Sequence, residues 1–145
     1  MLSPTKVAAM ALFAAGVFLY TGATQAQQQA AKVLAKGEFH NADKTGSGTA
    51  TIYELADGKR VLRLTNFAVD NGPDLYVRLI AAKDAKNTAS VAKTDHVELG
   101  KLKGNKGSQN YDVPANVDLS KYRVVSIWCN RFSVNFAAAP LKAAK

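Results

Sequence analysis

The 145-residue chain holds a single cysteine, Cys129, which excludes an intramolecular disulfide and the stapled scaffold common in small exported domains. Its two methionines, Met1 and Met10, sit at the extreme N-terminus, so the rest of the chain has no thioether to offer a metal. Histidine is equally scarce, with only His40 and His96. A type-one copper centre needs a thiolate and two imidazoles, usually gathered on one closing loop, and no His or Met follows Cys129. The chain also lacks a Gly-x-Ser-x-Gly elbow, a His-Glu-x-x-His pair, a Cys-x-x-Cys pair and a Cys-x-x-Cys-His haem attachment site. Asp70, Asn71 and Asp74 do not follow the spacing of a calcium loop, and beside Gly72 and Pro73 they read as turn formers. No metal site is expected. The net charge of +8 is scattered, with no run of five or six like charges, so nucleic acid is not the expected partner. The basic balance instead fits a solvated surface, association with anionic surfaces, or steering toward an acidic partner.

What is present begins with a targeting segment. Lys6 supplies a positive start, residues 7–20 are apolar and uncharged, and Thr24 and Ala26 stand where a signal peptidase reads before Gln27. The apolar run is shorter than the roughly 20 residues a membrane span needs. A signal peptide over residues 1–26, forming an N-terminal signal helix, is therefore expected, with a periplasmic or secreted product. Residues 27–35 are rich in Gln and Ala and read as a flexible leader, and residues 142–145 as a C-terminal tail.

Between them, short strand-like runs alternate with turn chemistry. Asp57-Gly58 separates two such runs, a strong hairpin signal, because a tight primed turn needs positive φ at its centre. Asn71-Gly72-Pro73-Asp74 breaks the chain before Leu75, Val77 and Leu79, which alternate with Tyr76 and Arg78. Residues 81–94 are polar and read as a surface excursion. Two further runs meet across Gly104-Asn105-Lys106-Gly107, a basic glycine segment without the spacing of a phosphate loop. No long 3.6-residue apolar period and no internal repeat is present beyond residue 27. The expectation is an all-β domain, an antiparallel β-sandwich or partly open barrel of about seven to nine short strands.

The last hairpin carries the cysteine. A two-residue turn at Asn130-Arg131 would pair Cys129 with Phe132, Ile127 with Val134 and Val125 with Phe136, placing all six on one core face. Val124, Ser126, Trp128, Ser133 and Asn135 would share the other. Cys129 then lies at the rim of the core, open to four readings: an inert buried thiol, an intermolecular disulfide, a ligand or a reactive thiol. One cysteine suffices as an axial haem ligand, although composition gives that no positive support.

Three stretches taken together resemble the DM-thirteen domain family: Asn66-Phe67-Ala68-Val69-Asp70-Asn71-Gly72-Pro73-Asp74-Leu75-Tyr76-Val77; the segment from Gly100 through Lys103-Gly104-Asn105-Lys106-Gly107 to Pro114; and Val125-Ser126-Ile127-Trp128-Cys129-Asn130-Arg131-Phe132-Ser133-Val134-Asn135-Phe136. The resemblance covers residues 36–141. It implies an extracellular β-rich module of electron-transfer systems, with Cys129 as a redox thiol or as the holder of a prosthetic group such as haem. Trp128 and Phe132 would flank that group and limit water. It also implies a separate redox or cell-surface protein as partner, and a non-enzymatic electron-transfer or binding module rather than an enzyme. The alternative is a non-catalytic extracytoplasmic binding domain, in which Cys129 is structural and the turn at 70–74 joins the loop at 104–107 as a recognition surface.

Overall fold

The computed structural model describes residues 31–145; the expected signal peptide over residues 1–26 lies outside the described residues. Among the described residues ten strands follow one another: β1 Lys32–Glu38, β2 His40–Asn41, β3 Gly46–Glu54, β4 Arg60–Val69, β5 Leu75–Ile80, β6 His96–Lys101, β7 Gln109–Val113, β8 Val124–Cys129, β9 Val134–Pro140 and β10 Lys142–Ala143. They form two five-stranded sheets, ordered β10-β1-β3-β4-β7 and β2-β9-β8-β5-β6. All neighbours are antiparallel and neither sheet closes, so the architecture is a sandwich rather than a barrel.

Alternation explains the core between the sheets. Leu62 and Leu64 of β4, Ala50 and Ile52 of β3, and Val77 and Leu79 of β5 are fully buried, while their sequence neighbours point away. Phe39 meets Phe67 edge to face at 5.1 Å between centroids. Small residues let the layers approach. A Cβ added at Gly46 would stand 2.3 Å from the Ala137 Cβ, and one at Gly37 would stand 1.9 Å from the Pro140 carbonyl oxygen. The Asp57-Gly58 hairpin forms where expected, but its loop spans residues 56–58 and only Gly58 has positive φ, so it is not the tight primed turn. Gly58 takes φ 87°, its N–H donates to the Leu55 carbonyl at 2.9 Å, and Glu54 pairs with Arg60.

Four expectations need correction. β1 starts at Lys32, inside the segment read as leader, because residues 32–38 find a complete partner strand in β3. β10 occupies the start of the segment read as tail, where Lys142 and Ala143 pair with β1. The last hairpin turns over four residues, 130–133, and not two, so Cys129 faces Val134 and Ile127 faces Ala137. Phe132 is consequently 56% exposed at the tip instead of buried. The physical reason lies at Asn130, whose N–H donates to the Asp74 carbonyl at 2.9 Å and whose Oδ1 accepts from Arg78 at 2.9 Å. Asn130 is thereby held against the neighbouring strand, and Ser133, at φ 52°, closes the turn in its place.

The fourth correction concerns residues 81–94, which form a third layer over the outer face of the second sheet rather than a purely exposed excursion. Ala85 and Val91 are buried there with Ile80, Val124, Trp128 and Ala138. All six residues of β8 are buried as a result, its inner face in the main core and its outer face beneath this segment.

Candidate functional site

Strand direction decides which loops share an end of the sandwich. The registers place residues 42–45, 70–74, 102–108 and 130–133 together at one end. Hydrogen bonds tie them to one another. Thr45 N–H donates to Asp70 Oδ2 at 3.0 Å, Val69 N–H to the Asn105 carbonyl at 2.9 Å, and Leu102 N–H to the Leu75 carbonyl at 2.8 Å. Thus the turn at 70–74 and the basic loop at 104–107, proposed from sequence as one recognition surface, are adjacent. They line a groove of about 190 Å³ with Pro73, Lys101 and Asn105 at its walls. The basic loop is firmly held. The Gln109 amide donates to the carbonyls of Gly104 and Gly107 at 2.9 and 3.1 Å, and Lys103 N–H donates to the Tyr111 hydroxyl at 2.9 Å. Burial raises the Tyr111 pKa despite that bond, keeping the hydroxyl protonated and donating to Gln109.

Cys129 lies directly beneath this end. It pairs with Leu75 on one side and Val134 on the other, and is fully buried in the main core with Ile127 and Phe136. Gly72 closes the roof, since a Cβ there would come within 2.9 Å of both Leu75 and the Phe136 ring. The three residues expected to form a cofactor site do not converge. Trp128 belongs to the opposite face of β8, and Phe132 projects from the turn into solvent. The nearest groove is lined by Leu75 and the loops, not by Cys129. A haem ligated at Cys129 does not fit this packing, because the residue is fully buried within the main core.

Trp128 has a different partner, one that the sequence left unmarked. The Arg78 guanidinium stacks over its ring at 4.8 Å, reaches Asn130 at 2.9 Å and lies 3.9 Å from Glu98. Desolvation lowers the Arg78 pKa, and Glu98 partly offsets it. Arg78 Nε is buried without a hydrogen-bond partner, so this stack fixes the root of the 130–133 turn at some polar cost.

A second unmarked cluster joins the 81–94 layer to the sandwich. Asn135, fully buried, donates to the carbonyls of Ala85 and Asn87 at 3.2 and 3.4 Å and accepts from Ser126 Oγ at 2.8 Å. Its N–H donates to Thr88 Oγ1 at 2.9 Å, and both the backbone and the hydroxyl of Thr88 donate to Asp43. At the rim, His40 sits between the Asn41 carbonyl at 2.7 Å and Asp84 Oδ1 at 2.6 Å. Both ring nitrogens face acceptors, which favours the imidazolium. Burial opposes that charge, but the bonds to Asn41 and Asp84 outweigh it and raise the His40 pKa. The Asp84 carboxyl likewise resists burial, yet its bonds to His40 and Ala85 N–H hold its pKa low.

The fold and its loop-bearing end define an all-β domain with one sealed thiol beneath a cluster of polar turns. The family described as Electron transfer DM13 matches residues 38–141, and the chain belongs to that family. All three stretches that carried the resemblance pass through this one end of the sandwich. No curated protein and no solved structure matches the chain.

Proposed function

We propose that this chain is an exported, non-enzymatic electron-transfer module that meets a separate redox or cell-surface protein through its loop-bearing end, with Cys129 as the redox thiol beneath the contact. The observation that carries this reading is the convergence of the three family stretches above that one side chain. Phe132 and Arg131, exposed at the tip of a turn braced by Arg78 and Asn130, supply an aromatic anchor and a charge to such a contact. Electron exchange with Cys129 then depends on the partner lying close above residues 70–74, or on those residues opening.

Its complete burial favours a second reading, a binding domain whose recognition surface is the groove between residues 70–74 and 102–107 and whose cysteine only fills the core. Cys129→Ala separates the two. Under the redox reading the folded variant loses partner-linked electron transfer while still binding the partner. A folded variant that keeps full transfer leaves only the binding reading. Export is part of the proposal, and intact-mass analysis of the native protein should find an N-terminus at or near Gln27.

A further inference from the structure

We infer that the outer face of the first sheet is a docking strip for a linear acidic polysaccharide, centred on Lys142, Lys36 and Arg63. The register aligns these residues in one row that crosses all five strands, Lys142–Lys36–Thr51–Arg63–Asn110. Neighbouring strands lie about 4.8 Å apart, so the three cations stand roughly 5 and 10 Å from one another along a line. That pitch is comparable to one or two sugar units of a chain carrying a carboxylate or sulfate on its rings.

Two features of the row call for an external anion. Lys36 and Lys142 are directly opposed across β1 and β10, an arrangement that like charge makes unfavourable in the absence of a counter-charge. Among the described residues, none of the three cations is in an ion pair. Arg63 is held only by the neutral Asn110 side chain at 2.9 Å, and nearby Glu38 is engaged by the Thr49 hydroxyl at 3.1 Å. Thr51, on the same outward face between Lys36 and Arg63, is only 5% exposed, while Arg63 extends toward Asn110. The adjacent row, Val33–Tyr53–Val61, offers apolar and aromatic surface against which the non-polar face of a sugar ring can rest, and it ends at the exposed Asp112 of β7, which bounds the strip on that side. A groove of about 610 Å³ at the edge of the strip is lined by Val33, Lys36 and Lys142, with Glu38 also on its wall. A lipid surface suits this face less well. The most exposed bulky apolar side chain among the described residues, Phe132, projects from a turn of the other sheet, where it cannot insert while the strip lies on headgroups.

This inference does not depend on the role of Cys129. Its test measures binding to polygalacturonate, to heparin and to phosphatidylglycerol vesicles across a salt series. The wild-type protein should bind both polysaccharides at low salt, with affinity that falls steeply as salt rises, the signature of counterion release. Lys36→Gln with Arg63→Gln and Lys142→Gln should weaken that binding at least about tenfold, taking roughly a fivefold loss per surface cation as the upper scale. The control removes the same charge from the 81–94 layer, by Lys83→Gln, Lys86→Gln and Lys93→Gln, and should weaken binding less than about threefold, since screening limits distant charges. Lys142→Gln alone, which relieves the opposed pair, supplies the measurement if the triple variant does not fold. Equal losses from both triples, binding to vesicles alone, or no polysaccharide binding by the wild-type protein would each overturn the proposal.

Discussion

Replacing Asn135 with Ala should be among the costlier single changes in the second sheet. The side chain is fully buried, donates to the Ala85 and Asn87 carbonyls, and accepts from Ser126. Removing it leaves the Ser126 hydroxyl and the Ala85 carbonyl without that partner in a buried place, while the Asn87 carbonyl lies nearer solvent. A buried polar group left unpaired costs about 1–3 kcal/mol. Two such groups would cost about 2–6 kcal/mol, and the long 3.2 Å donor bond puts the expected total in the lower half of that range, about 2–4 kcal/mol. Urea unfolding followed by the fluorescence of Trp128, the single tryptophan, reads the same buried cluster directly. Ser126→Ala should cost less, and the double variant should fall short of the sum by about 1 kcal/mol, because the orphaned hydroxyl is then gone. A loss below about 0.5 kcal/mol for Asn135→Ala would refute the reasoning and place the 81–94 layer outside the cooperative unit.

Ile127→Ala, which empties a fully buried position opposite Ala137, should destabilise by about 2–5 kcal/mol in the same assay, and a surface-like loss would overturn the register. Phe132→Ser, at the exposed tip, should change stability by less than about 0.5 kcal/mol while weakening partner capture, and a large stability loss would show that the ring is buried. The His40–Asp84 pair should give a pH-dependent melting temperature. His40 has a raised folded pKa, so its contribution is complete below its ordinary value of 6.5 and is lost as pH rises through the folded value. Asp84 has a depressed folded pKa, so its contribution is present above its ordinary value of 3.8 and is lost as pH falls through the folded value. Both side chains are about one third exposed, so the effect is modest. The maximum should lie between those two values, and His40→Gln should flatten the alkaline limb of the profile.

How much of this was legible in the sequence depends on how local each cause is. The Asp57-Gly58 hairpin and the alternation in β5 are written in a few adjacent residues, and they appear where expected. The turn after Cys129 is not local. Asn130 is drawn to Asp74 and Arg78, more than fifty residues away in the chain, and two-residue turn chemistry has no way to represent that pull. Residues 81–94 lack large apolar side chains, so nothing in their composition announces a third layer. Their burial rests on Ala85 and Val91 and on the hydrogen bonds of Asn135, which reads as an outward-facing polar residue until the layer is in place. Cys129 was correctly placed in the core, but the loops that seal it come from separate hairpins, and their convergence is a property of strand order.

Because neither sheet closes, the sandwich has four edges, and each one discourages a second copy from adding to it. Two edges are strands of only two residues, β2 and β10, too short to template a ladder. β6 carries a register irregularity at its pairing with Val77 and Arg78, and exposes His96, Glu98 and Lys101 along its length. β7 runs for five residues, exposes Asp112, and is followed at once by Pro114. Open sheet edges are a general hazard for a domain built almost wholly of strands, because they can template pairing with another chain. Here each rim carries a feature that works against growth by strand addition.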